Sequence, residues 1–132
     1  MFGEESEAAI VRVMRLREQL RPYIQGLYEA AAAEGTPIMR PLWFDFHTDA
    51  GSQLVDDQLM FGPDFLVAPV LEQGVQSRSV YLPPLPQGTA WENYFTKVMT
   101  NTSAGGKRIT EATPNTGAGF GTFPLYRRKP LE

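Results

Sequence analysis

The sequence predicts an α/β segment followed by an all-β one, with the change falling between residues 35 and 70. Three observations predict it. Before Gly35, apolar residues recur at three- and four-residue steps, which is helical spacing. Two short runs rich in aromatic and β-branched residues follow, Ile38–Phe46 and Phe65–Leu71, each bounded by Pro, Gly or Asp. From residue 58 onward, short strands and turn residues alternate about every 8–12 residues, as in a small antiparallel sandwich.

Composition bounds the function classes. The 132 residues suffice for one domain with its own core, and 42% hydrophobic with 20% charged residues is globular rather than disordered. A net charge of −3 supplies no basic field, so nucleic acid is not expected as a partner. Without cysteine there is no disulfide, thiolate zinc site or cysteine nucleophile. No apolar run approaches the roughly 18 residues that span a bilayer, so no membrane partner is expected. The N-terminal Met-Phe-Gly-Glu-Glu-Ser-Glu is acidic where a signal peptide is basic and then apolar.

Residues 6 to 34 read as helix, with Ile10, Val13, Met14, Leu20, Ile24, Leu27, Tyr28 and Ala31 on one stripe. Ser6 is expected as N-cap and Gly35 as the left-handed residue that ends the helix, with Pro37 beyond it. Pro22 lacks a backbone donor, which predicts a kink or a fresh helix near Arg21–Pro22. Ile38–Phe46 is expected as a strand covered on both faces, then a loop over 48–57. Strands follow at 58–61 and 65–71, around the turn Gly62-Pro63-Asp64. In the strand at 78–82, Val80 and Leu82 face away from Ser79 and Tyr81. After the stop at Pro83, Pro84 and Pro86 come strands at 91–96, 107–112 and 122–127, with loops at 101–107 and 113–121.

Five blocks then carry a family resemblance. They are Leu20-Arg21-Pro22-Tyr23-Ile24; Thr36-Pro37-Ile38-Met39-Arg40-Pro41-Leu42; Asp57-Gln58-Leu59-Met60-Phe61-Gly62 with Leu66-Val67-Ala68-Pro69-Val70; Val80-Tyr81-Leu82-Pro83 with Trp91 and Tyr94; and Phe123-Pro124-Leu125-Tyr126-Arg127. In this order and spacing, from about Val11 to Arg127, the chain resembles glycoside hydrolase family 31, the α-glucosidases, α-xylosidases and their relatives. The resemblance implies the last helix and strand of a (β/α)8 barrel over 1–57, followed by a proximal C-terminal β-sandwich over 58–132. It implies hydrolysis of α-glucosidic or related bonds by two aspartates, with catalytic residues expected upstream of Met1 and none in this chain. The implied partners are a carbohydrate substrate, through the complete enzyme, and the remainder of the barrel; no cofactor is implied. The chain departs from the family at Lys129-Pro130, where a small residue and glycine usually follow the arginine, and at His47, usually proline.

Residue chemistry supplies further candidates. Retaining glycoside hydrolysis needs carboxylates about 5–5.5 Å apart, and Asp45 with Asp49 is the local pair to weigh against strand-end hydrogen bonding. His47, the one histidine, is expected to be solvated rather than a base or a metal ligand, and no metal site is expected. Arg40 sits inside an apolar run, where a guanidinium requires a carboxylate; Asp57, Asp64 and Glu29 are the available partners, and sugar contact is the rival role. Arg40, Asp57 and Asp64 are thus assigned structural roles. Trp43, Phe44, Trp91, Tyr94 and Phe95 are expected in the core rather than on a sugar-stacking platform. Asn101-Thr102-Ser103 fits an N-glycosylation sequon and, with the family, admits a secretory or extracellular location. The alternative function is a non-catalytic carbohydrate-binding or structural module, which requires an exposed aromatic row.

Overall fold

The computed structural model describes residues 3–114 and 121–131. Two helices lead, α1 (Gly3–Gln19) and α2 (Arg21–Glu34), with the break at Leu20. Pro22 falls in the first turn of α2, where its missing N–H breaks no helical bond, so a fresh helix starts there as expected. Glu4 and Glu5 at the start of α1 and Arg17 at its end suit the helix dipole. The start differs from expectation: α1 is already helical at Gly3, so Ser6 lies inside the helix rather than capping it. Gly35 ends α2 with φ 73°, its N–H on the Ala31 carbonyl at 2.9 Å. The predicted stripe is not buried within the chain. Ile10, Val13, Met14 and Tyr28 are exposed, and on α1 the buried residues are Ala9 and Leu16.

The strand expected over Ile38–Phe46 is much shorter, which corrects the sequence reading. β1 is Met39–Pro41, and the chain then coils into the single turn α3 (Leu42–Asp45), closed by Phe46 N–H on the Leu42 carbonyl at 3.0 Å. Pro41 has no N–H to continue a ladder, so the strand stops there. In the polar stretch after it lies another short helix, α4 (Ala50–Gln53), where only loop was expected.

Strands β2 (Leu59–Phe61), β3 (Phe65–Val67), β4 (Ser77–Leu82), β5 (Thr89–Asn93), β6 (Met99–Thr100), β7 (Lys107–Ala112) and β8 (Leu125–Pro130) complete the chain. Among the described residues they form a six-stranded sheet, β1-β2-β3-β8-β5-β6, and a two-stranded one, β4-β7, with every pairing antiparallel. β1 pairs with β2 through Arg40↔Met60, so the sheet crosses from the N-terminal to the C-terminal side of residue 57. β6 was not anticipated, and β8 begins and ends three residues later than expected. The expected loop at 113–121 falls largely on 115–120, outside the described residues.

One core cluster joins the two sheets. Val80 and Leu82 of β4, fully buried as their alternation predicted, pack with Met60, Leu66, Trp91 and Tyr126 of the larger sheet and with Leu42 of α3. Trp91 donates its indole N–H to the Pro83 carbonyl at 2.9 Å, which satisfies its one polar atom inside the core. A second cluster fixes the helices: Leu16 of α1 meets Phe65 and Leu125, with Leu20 and Tyr23 around them. Tyr23 also latches α2 to the β2–β3 turn, donating to the Phe61 carbonyl at 2.8 Å and accepting from Asp64 N–H at 3.1 Å.

Candidate functional site

The densest assembly of charge and aromatic surface lies where α2, β1, α3 and β8 meet. Arg40, 5% exposed at its side chain, makes a two-point contact with Asp45: Nε to Oδ2 at 2.8 Å and Nη2 to Oδ1 at 2.9 Å. Its remaining Nη1 reaches the Pro37 carbonyl at 3.1 Å, and its guanidinium carbon lies 4.9 Å from the Phe44 ring centre. The partner is therefore Asp45, not Asp57, Asp64 or Glu29. In an extended strand, residues 40 and 45 would stand roughly 16 Å apart and face opposite sides. The turn after Pro41 is what brings Asp45 back. Behind this pair Arg128 lies over the Phe46 ring at 4.8 Å and the Trp91 ring at 5.8 Å. Burial lowers its pKa, the carboxylates of Asp45 and Asp64 working against that, and its Nε has no hydrogen-bond partner. Tyr23 belongs to the same neighbourhood, and burial pushes its phenol up to about 12.

Asp49 serves a different purpose. Its side chain caps α4, accepting from Ser52 N–H at 3.0 Å and Ser52 Oγ–H at 2.7 Å, and from the Tyr81 hydroxyl at 2.7 Å. Burial would raise its pKa, but the hydrogen bonds from Tyr81 and Ser52 outweigh that and hold it below the ordinary carboxylate range. Burial and the same bond raise the Tyr81 phenol to about 12. Asp45 and Asp49 are thus committed to different structural partners. Neither is a free carboxylate facing a cleft.

The other candidates are dispersed. Asp57 pairs with Arg78 at 3.0 Å on an exposed edge. Asp64 is exposed in the β2–β3 turn, and its carbonyl accepts from Arg128 N–H at 2.9 Å. His47 is exposed, and its carbonyl takes the Gln53 amide at 2.8 Å. Asn101 is exposed, its side-chain oxygen accepting from Ser103 N–H at 2.9 Å, while Thr102 between them is buried on the Pro83 carbonyl. Trp91 is fully buried and Tyr94 and Phe95 half-buried, whereas Trp43 and Phe44, expected in the core, are 51% and 43% exposed. Among the described residues no group of three or more His, Cys, Asp or Glu is gathered for a metal ion.

Sequence reasoning missed Glu92, whose buried carboxylate accepts from Arg127 at 2.9 Å and Lys129 at 3.0 Å across β5 and β8. Burial opposes ionisation there, but the two cations prevail and hold its pKa below the usual value. The signal was the pair of basic residues at 127 and 129, two apart and so on one face of the last strand. Two surface grooves of about 260 Å³ each flank these features, one beside Arg78 and Arg108, the other beside Arg21 and Tyr28. Neither places a paired carboxylate opposite a second one. The geometry describes a tightly cross-braced scaffold.

Comparison with known proteins bears on what the scaffold serves. The family model for the glycosyl hydrolase family 31 C-terminal domain matches residues 35–129. An α-xylosidase of Saccharolobus solfataricus is 40% identical over 95 residues, which are 72% of this chain and 13% of that protein. Alpha-glucosidase 2 of Bacillus thermoamyloliquefaciens is 34% identical over 72% of this chain and 12% of its own length. Among solved structures, an α-xylosidase from a soil metagenome, complexed with xylose, superposes with a TM-score of 0.84 at 41% identity. That match covers 97% of this chain and 17% of the xylosidase. A Flavobacterium johnsoniae dextranase in complex with isomaltotriose gives a TM-score of 0.83 at 30% identity over 97% of this chain and 14% of the dextranase. The chain thus spans between about a tenth and a sixth of the length of these relatives.

Proposed function

The chain belongs to glycoside hydrolase family 31, and on that premise we propose that it is the C-terminal supporting part of an enzyme hydrolysing α-glucosidic or related O-glycosyl bonds. The parent would act through two aspartates carried elsewhere, and this segment would close and brace the catalytic barrel. The observation that carries the reading is the commitment of both local carboxylates: Asp45 to Arg40, and Asp49 to Ser52 and Tyr81. The relatives' names, α-glucosidase and α-xylosidase, support the substrate class, a glycoside.

Within this reading α1 and α2 belong to the end of the barrel and the antiparallel sheets to a β-sandwich. The β1–β2 pairing and the start of the matched domain at residue 35 favour a divide nearer Gly35 than 57. The exposed Ile10, Val13 and Met14 then pack against the rest of the barrel.

The test is to express residues 1–132 alone, measure mass by light scattering, and assay aryl α-glucosides and α-xylosides. The expected result is background turnover and self-association through the uncovered stripe. Turnover that disappears in Asp45→Asn would overturn the assignment of catalysis to missing residues. A monodisperse monomer would overturn the claim that the stripe needs covering.

A further inference from the structure

Resting on that reading, we propose that the Trp43–Phe44 turn is an anchor by which this chain docks onto an apolar polypeptide surface of the enzyme's catalytic portion. Trp43, Phe44 and Met39 are 51%, 43% and 64% exposed, though all three flank the buried Arg40. The turn is rigid: Asp45 is clamped at two points, Arg40 lies against Phe44, and Phe46 N–H closes the helical turn. Aromatic side chains presented on a fixed backbone lose little entropy on docking, and Trp is the residue most often found as such an anchor. A sugar is disfavoured as occupant because the adjacent polar groups are already engaged: Asp45 by Arg40, Asp49 by Ser52 and Tyr81, and Gln53 by the His47 carbonyl. The relatives supply the polypeptide, since the matched segment is only 12–17% of the Bacillus glucosidase and the soil-metagenome xylosidase.

The experiment grafts this chain into the soil-metagenome α-xylosidase in place of its matching segment, with and without Trp43→Ser/Phe44→Ser. The isolated chain should melt within about 1 °C of itself with either turn, whereas the graft should lose about 2–4 °C in the double variant. A graft indifferent to the double substitution overturns the proposal, even if it is active and so upholds the supporting role. An inactive graft that still loses stability upholds the anchor and counts against the supporting role. A graft that does not fold with the native turn overturns both. Binding of isomaltotriose by the isolated chain, lost in the double variant, would make the turn a sugar platform and also overturn the proposal.

Discussion

Arg40 holds β1, α3 and the loop before them through five donors' worth of geometry, and Asp45 has no other partner to turn to. Removing the cation leaves a buried carboxylate. Arg40→Met is expected to destabilise the fold by about 3–5 kcal/mol, measured by urea unfolding; a shift under about 1 kcal/mol would contradict the buried pairing. Glu92 makes a pH-dependent contribution. Because its folded pKa is depressed by Lys129 and Arg127, its stabilisation is present above the ordinary carboxylate value of 4.5 and is lost as pH falls through the folded pKa. The melting temperature should therefore drop between about pH 5 and pH 3. In Glu92→Gln it should start lower at pH 7 and fall less steeply. That Arg40 is buried was legible from one charge inside an apolar run. Its partner was not, because Leu42–Phe46 is apolar throughout and so short a run does not tell strand from helical turn. Glu92 was hidden for a different reason: its partners come from a strand 35 residues away, and register is not written in either segment alone.

At the scale of elements, the β2–β3 hairpin and α2 are held together by a glycine as much as by Tyr23. Gly62 has φ +68°, and a Cβ there would run into the Tyr23 hydroxyl and the Leu27 side chain. Gly74 has a similar φ of +78° with open space around it. Both substitutions to Ala carry the backbone penalty of about 1 kcal/mol, but Gly62→Ala should cost about 1–3 kcal/mol more by displacing the latch. Equal melting of the two variants would show that Tyr23 is not pressed on the turn. Helix boundaries were readable here because Pro22 and Gly35 act through local backbone chemistry. The exposed stripe on α1 was equally readable as a stripe. What covers it was not, since periodicity reports an apolar face and not its partner.

At the scale of the molecule, the six-stranded sheet falls into two ladders, β1-β2-β3 and β5-β6, that touch only through β8. Leu125 and Tyr126 also serve one core cluster each, so β8 ties sheet and core together. A chain ending at Pro124 should lose its cooperative thermal transition, read by near-ultraviolet circular dichroism. A retained sharp transition would mean the ladders are independently stable. The antiparallel order explains why the sequence suggested sheets but not their neighbours: the strands beside β8 begin about 60 and 36 residues earlier, separations that local pattern does not encode.

Ribosomes make proteins from the amino end, and here the strand that sits in the middle of the sheet emerges after every other strand. Until Leu125 to Pro130 leave the exit tunnel, the nascent chain carries two open strand edges, on β3 and on β5, that await the same missing insert. Those edges are available to any other extended chain during that interval, so yield in the cell should depend on how quickly the final codons are read and on holding factors that shield edges. Slow synonymous codons placed after residue 124 should send more of the product into the insoluble fraction than the same codons placed before residue 59.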